Sequence, residues 1–204
     1  MNTFEAIENR RSIRKFKDTD IPNEVICKII EAGIKAPSAK NKQPWKFIIT
    51  KGVEKDKIIA VIEQGVETEK NTVGLLPNRK NLIPAVLNTI KAMKQAPVLL
   101  FVFNTEETRF LFQNVSTEEK FVETSNLLSI GASIQNILLA ATDLGIASLW
   151  ICDTVFAYKE ICSYFCEKGQ LVSAVSLGYS AETPLPIAKK DFNTVVFWRG
   201  EPSC

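Results

Sequence analysis

The chain has 204 residues, 46% of them hydrophobic and 24% charged, with a formal net charge of +2. That length buries roughly 70% of the unfolded surface, enough for one substantial core, and the weak charge with scattered basic residues argues against nucleic acid as a partner. No apolar stretch reaches the roughly 18–20 residues that cross a bilayer and Met-Asn-Thr-Phe-Glu is no signal peptide, so the expectation is a cytoplasmic protein without a membrane partner.

Residues 3–9 read as a short helix with Phe4 and Ile7 on one side and an arginine cluster at its end. Asp20 to Asn23 makes a turn, and Val25, Ile26, Ile29, Ile30 and Ile34 recur at helical spacing, predicting a helix over 23–35. Pro37 ends it, because the residue before proline avoids the α region. Trp45 to Thr50 is aromatic and β-branched, hence a strand. Residues 53–70 read as a helix, 71–84 as an irregular excursion broken by Gly74, Pro77 and Pro84, and 85–94 as a further helix. Pro97 to Phe103 is a continuous apolar run of strand length and marks a buried strand.

The polar, mixed stretch 104–119 around Arg109-Phe110-Leu111-Phe112 suits a loop or lid. Residues 121–143 carry the longest helical signal, with Gly131, Ala132, Ser133, Ala140 and Ala141 small enough for close helix approach and Asp143-Leu144-Gly145 as its stop. A strand over 146–151, a helix over 155–166 and a strand over 171–177 follow. The tail is proline-rich at Pro184 and Pro186, basic at Lys189-Lys190 and apolar from Val195 to Trp198, the pattern of an arm that docks elsewhere, a second subunit included. Helices and strands interleave without a linker or repeat, which reads as one α/β-type domain over residues 1–204 with mixed strand order.

The sequence contains no histidine. That excludes a Ser-His-Asp triad, a His-assisted cysteine nucleophile, a zincin helix and a His-ligated haem. An acid or base must come from Asp, Glu, Lys, Tyr, Cys or water, and a bound cofactor is expected to supply the reactive atoms. Five scattered cysteines, Cys27, Cys152, Cys162, Cys166 and Cys204, form no Cys-x-x-Cys pair and read as buried free thiols. Cys162 and Cys166 are spaced to share a helical face, and Cys152 follows a predicted strand, where site residues often sit.

Two segments carry the chemistry. Arg10-Arg11-Ser12-Ile13-Arg14 packs three guanidiniums and a hydroxyl into five residues. Guanidinium forks match phosphate oxygens, although a solvated basic surface has the same composition. If this segment is helical, Arg10 and Arg14 share a face and repel unless an anion lies between them. Ala36 to Trp45 is a proline-bounded loop whose amides can read the edge of a planar heterocycle, or serve as turn residues for local reasons. No Gly-x-Gly-x-x-Gly or P-loop pattern occurs.

Read together, Arg10-Arg11-Ser12-Ile13-Arg14-Lys15-Phe16 and Ala36-Pro37-Ser38-Ala39-Lys40-Asn41-Lys42-Gln43-Pro44-Trp45-Lys46-Phe47 resemble the nitroreductase family of flavin mononucleotide (FMN) dependent oxidoreductases. Weaker matches, in the family's order, are Gln95 to Val98, Gln135 to Ala141 and Leu177-Gly178-Tyr179 before the basic tail. The resemblance implies an α+β fold: a three-layer sandwich with a central mixed, mainly antiparallel sheet flanked by helices. It further implies an intertwined homodimer with two FMN molecules at the subunit interface.

By position it assigns Arg10, Arg11, Ser12 and Arg14 to the FMN phosphate, ribityl chain and pyrimidine edge, and Pro37, Ser38, Ala39 and Asn41 to the partner's flavin, with Gln43 beside them. Lys189 or Lys190 falls where the family has a phosphate-binding cation, and Cys152 and Asp153 fall where the backbone passes the flavin N5 edge. Asn88 and Lys91 match an amide and a cation near the pyrimidine only with a length adjustment. The implied activity is ping-pong hydride transfer from NADH or NADPH, through flavin N5, to a nitroaromatic, quinone or similar small acceptor. A flavin reductive dehalogenase-like enzyme and a non-catalytic FMN-binding or reservoir protein are the alternatives.

Overall fold

The computed structural model describes residues 1–106 and 115–200. Its elements, in chain order, are α1 (Thr3–Asn9), α2 (Asn23–Ile34), β1 (Trp45–Lys51), α3 (Gly52–Asn71), α4 (Ile83–Gln95), β2 (Val98–Asn104), α5 (Thr117–Asp143), β3 (Ala147–Ile151), α6 (Tyr158–Phe165), β4 (Gln170–Gly178) and α7 (Phe192–Val195). The four strands form one sheet in the order β1-β2-β4-β3, and every pair is antiparallel. The interleaving that reads as α/β therefore yields an α+β sheet, and the parallel pairing among the described residues is the isolated Ser12–Ser148 bridge.

β2 explains the three layers. Its side chains alternate, as a pleated strand requires: Leu99, Phe101 and Phe103 join the core formed with α3, α4 and α6, while Val98, Leu100 and Val102 join the core formed with α2 and α5. All six are fully buried, each worth about 1.5–3 kcal/mol of gross hydrophobic stabilisation. A strand covered on both faces needs no polar alternation, hence its continuous apolar sequence.

Local chemistry sets the helix limits. Capping boxes start α1 (Asn2 with Glu5) and α5 (Ser116 with Glu119), placing the α5 start at Thr117 rather than 121. α5 ends before Gly145, whose φ of +73° stops the helix where a side chain would be strained. The predicted helix over 155–166 begins as a tight 3₁₀ turn, Asp153–Ala157, before α6. Against α2, Ser133 of α5 donates to the Gly33 carbonyl at 2.8 Å and Asn136 donates to the Ala32 carbonyl at 3.1 Å.

Of the loop or lid predicted over 104–119, residues 107–114, Arg109 to Phe112 among them, lie outside the described residues, while Asn104 closes β2 and Thr117 opens α5. Phe4 and Ile7 share a side of α1, but it faces solvent in the isolated chain. Among the described residues no helix is long and apolar enough to cross a membrane.

Candidate functional site

The arginine segment is extended. α1 stops at Asn9, and Arg10 caps it with φ −59° and ψ 126°. Arg10 and Arg14 thus share no helical face, and the repulsion expected for a helix does not arise. Instead the chain is laced into the sheet edge: Ile13 N–H donates to the Ser148 carbonyl at 3.0 Å, and Lys17 N–H donates to the Tyr179 carbonyl at 2.8 Å. Ile13 and Phe16 point into the core, while Arg10 and Arg11 are half-buried and Ser12 and Arg14 exposed. Apolar residues within a basic run therefore aim the cations outward.

Arg10, Arg11, Ser12 and Arg14 line a cavity of about 460 Å³, whose other wall runs from Pro184 to Ile187 and ends at Lys189. A second cavity of about 560 Å³ shares Arg11, Pro184 and Pro186 and reaches Ala147 and Ser148 at the start of β3. Glu8 also lines the first cavity, yet among the described residues no carboxylate oxygen lies within 4 Å of a side-chain nitrogen of Arg10, Arg11, Arg14 or Lys189. Lys190 is exposed and lines neither cavity.

The loop over 37–43 is built under strain. Lys40, Asn41 and Gln43 have φ of +54°, +54° and +50°, and left-handed backbone costs a non-glycine residue roughly 1–2 kcal/mol. Ser38 Oγ accepts the Gln43 N–H at 3.0 Å, and Ser129 Oγ on α5 accepts the Ala39 N–H at 3.1 Å. Lys42 Nζ reaches Glu106 at 3.0 Å, and the buried Asn126 donates to the same carboxylate at 3.3 Å. The Lys42 ammonium foremost, then Asn126, holds the Glu106 carboxyl below the usual carboxylate range.

Within one chain this loop does not meet the arginine cavity. The loop is held at Ser129, whereas Thr142, near the far end of α5, lines the second cavity with Asn9. Thirteen helical steps lead from Ser129 to Thr142, roughly 20 Å at about 1.5 Å per residue.

Cys152 and Asp153 follow β3 and line neither cavity. Asp153 is tied to α4 by Thr89, whose hydroxyl donates to Oδ2 at 2.8 Å. Asn88 and Lys91 lie beside it on α4, 3.4 Å apart. Packing around its sulfur, then the Asp153 charge, pushes the Cys152 thiol up, so this cysteine is not an activated nucleophile at neutral pH.

The buried-thiol reading is corrected. Cys27, Cys152 and Cys166 are exposed and Cys162 half-buried, while Cys204 lies outside the described residues. Cys27 falls between the buried face positions of α2, and Cys166 sits past the end of α6 at φ +54°, off the face carrying Cys162.

Sequence reading missed Glu182, Ser148, Thr89 and Ser129, each of which orders a candidate segment from far away in the chain. Glu182 left one signal: it is the acid beside the proline-rich stretch that leads to Lys189-Lys190.

The Nitroreductase family model matches residues 7–179. The chain belongs to the nitroreductase family. Nitroreductase NfnB of Mycolicibacterium smegmatis is 28% identical over 203 residues, covering 87% of this chain and 82% of the relative. The crystal structure of a BluB-like flavoprotein from Clostridium difficile 630 superposes with a TM-score of 0.79 at 26% identity, covering 98% of this chain and 100% of that one. The FMN and NADPH-dependent nitroreductase NfnB from Sphigopyxis sp. strain HMH has a TM-score of 0.77 at 17% identity, with 98% and 100% covered, a likeness of fold.

Proposed function

We propose that this nitroreductase-family chain is a cytoplasmic, FMN-dependent NAD(P)H oxidoreductase, that residues 1–204 act as one flavin-binding unit, and that the working enzyme is a homodimer. One observation carries the reading: among the described residues, the side chains of Arg10, Arg11, Arg14 and Lys189, none in an ion pair, line one cavity with the single acid Glu8, and that cavity shares Arg11, Pro184 and Pro186 with a second. The FMN phosphate bears about two negative charges and needs paired donors when buried. The donor set fits that group. When bound there, FMN would supply the redox chemistry, hydride acceptance from NADH or NADPH and electron delivery to an oxidised acceptor such as a nitroaromatic or a quinone.

The protein's own residues bind and bias. Arg10, Arg11 and Lys189 would neutralise the phosphate, Ser12 would add a hydroxyl donor, and Arg14 would supply a cation for the pyrimidine edge, favouring negative charge there. Asp153, held by Thr89, fixes the turn that follows β3. The separation of the 37–43 loop from its own chain's arginine cavity supports a second subunit, whose Pro37, Ser38, Ala39, Asn41 and Gln43 complete the site. Unpaired apolar surface supports the same reading: Phe121 and Leu128 on α5 are each 71% exposed, and the tail exposes Leu185, Ile187 and Phe197. Free thiols at Cys27, Cys152, Cys162 and Cys166 suit a reducing compartment.

The test is a visible spectrum followed by anaerobic titration with NADH and NADPH. The expected result is a yellow dimer that bleaches with a reduced nucleotide and is reoxidised by a nitroaromatic or quinone, and an Arg10→Ala/Arg14→Ala variant that is colourless. A colourless wild-type protein, or unchanged flavin in the double variant, overturns the reading. Flavin that neither nucleotide reduces makes the protein an FMN reservoir.

A further inference from the structure

Glu182 is an acid at the edge of a cationic site, and its carboxylate contacts main chain rather than a guanidinium. Oε1 accepts the Arg14 N–H at 2.5 Å and the Lys15 N–H at 3.1 Å. Neither amide has another protein acceptor among the described residues: Ile13 N–H goes to Ser148, Phe16 N–H to the Gln95 side chain and Lys17 N–H to Tyr179. Glu182 is itself held, since Ser180 Oγ accepts its N–H at 3.2 Å and donates to its carbonyl at 2.5 Å. Residues 15–17 and 179–181 already pair through Ala181 N–H to the Lys15 carbonyl at 2.9 Å and the Phe16–Ser180 bridge. Where the tail turns away toward Pro184, the Glu182 side chain continues that pairing by two more amides.

We infer that Glu182 is a positioning residue for the flavin site: by holding the amides of Arg14 and Lys15 it orients the Arg14 guanidinium toward the cofactor. This rests on the FMN reading above. An amide side chain reproduces the geometry, because one carbonyl oxygen can accept both N–H groups. A methyl group cannot, and two amides lose their partner. The negative charge strengthens the two hydrogen bonds but, near a dianionic ligand, opposes binding, so its removal in a glutamine costs the site little.

The experiment compares Glu182→Gln, Glu182→Asp and Glu182→Ala in the full chain. FMN dissociation constants come from quenching of flavin fluorescence, and amide exchange at Arg14 and Lys15 is read in FMN-free protein. Expected are an affinity for Glu182→Gln equal to or above wild type, an intermediate loss for Glu182→Asp, and on the order of tenfold weaker binding for Glu182→Ala. Amide exchange at 14 and 15 accelerates in the Ala variant and not in the Gln variant. In an Arg14→Ala background the Ala substitution weakens FMN by less than about twofold more, because the residue it positions is gone.

Equal FMN affinity in wild type and Glu182→Ala overturns the inference. So does a loss that adds fully to Arg14→Ala, or a Gln variant as weak as the Ala variant. If Glu182→Ala does not fold, the Gln and Asp variants decide alone: affinity at or above wild type for Gln and reduced for Asp supports the role, and any other order overturns it. A wild-type protein that binds no FMN refutes the function proposed above, whereas the exchange arm still reads the Glu182 contact.

Discussion

The hydroxyl of Ser129 accepts the backbone N–H of Ala39 at 3.1 Å, and this contact pins a strained loop to the longest helix. Without it the Ala39 amide loses its partner, at a cost of about 1 kcal/mol. Ser129→Ala is expected to lower Tm by about 2–4 °C. On the proposed function, nitroaromatic reduction should fall on the order of tenfold in kcat/KM as the loop drifts from the flavin it is proposed to complete. An unchanged kcat/KM with a lowered Tm would make the contact purely structural.

Gly178 packs against Phe16, next to the arginine segment. A Cβ there would stand 2.7 Å from Phe16 Cδ1 and 2.7 Å from Pro97 Cδ, closer than packed atoms approach. Phe16 lies two residues from Arg14, so the displacement propagates into the cation cluster. Gly178→Ala should destabilise by about 1–3 kcal/mol through overpacking and weaken FMN retention. Adding Phe16→Leu should restore part of both, and chemical denaturation with flavin titration of the single and double variants measures it.

Loop strain and cofactor reading separate by substitution. Lys40 sits at φ +54° and is not assigned to the flavin. Lys40→Gly relieves the left-handed backbone, and after the chain-entropy loss it should gain about 0.5 kcal/mol with flavin affinity unchanged. Gln43→Gly relieves similar strain at φ +50° but removes an amide from the loop, so its flavin affinity should fall. A lower Tm for both variants would show that the conformation is not strained.

Tyr158 sets an alkaline limit. Burial chiefly, then the neighbouring Cys162, pushes its phenol from 10.0 up to about 12. Below pH 10 the phenol is protonated in both folded and unfolded chains, and its contribution is fully present. Between pH 10 and about 12 the unfolded phenol ionises first, so stability falls as pH rises. Tyr158→Phe should reduce that slope by one proton, the remainder coming from thiols such as Cys162, also pushed up by burial. Urea unfolding at a series of alkaline pH values tests it, and an unchanged slope refutes the assignment.

Much of the fold was legible because its causes are local. The run from Val98 to Phe103 declares a strand covered on both faces, and Ile26 and Ile29 declare the buried side of α2, although Ile34 of the same pattern is exposed. The arginine segment was legible as a cluster of charge, but not as extended chain: the Ser148 and Tyr179 carbonyls that hold it lie more than a hundred residues away. Cys27 and Cys166 misled because a small apolar side chain is as compatible with a solvent-facing position as with a core one, and no neighbour in sequence distinguishes the two.

By itself the sequence determined most of the elements, the apolar faces that β2 and the long helices bury, the excluded histidine chemistries and the charge that suits an anionic cofactor. Only the tertiary structure decided the strand order β1-β2-β4-β3, the separation of the 37–43 loop from its own chain's cation cavity, and the contact between Glu182 and Arg14 across 168 residues. The physical reason is one of range. Periodicity and capping act within a few residues and write themselves into local composition, whereas a carboxylate that satisfies a distant amide reads, in sequence, like any surface glutamate.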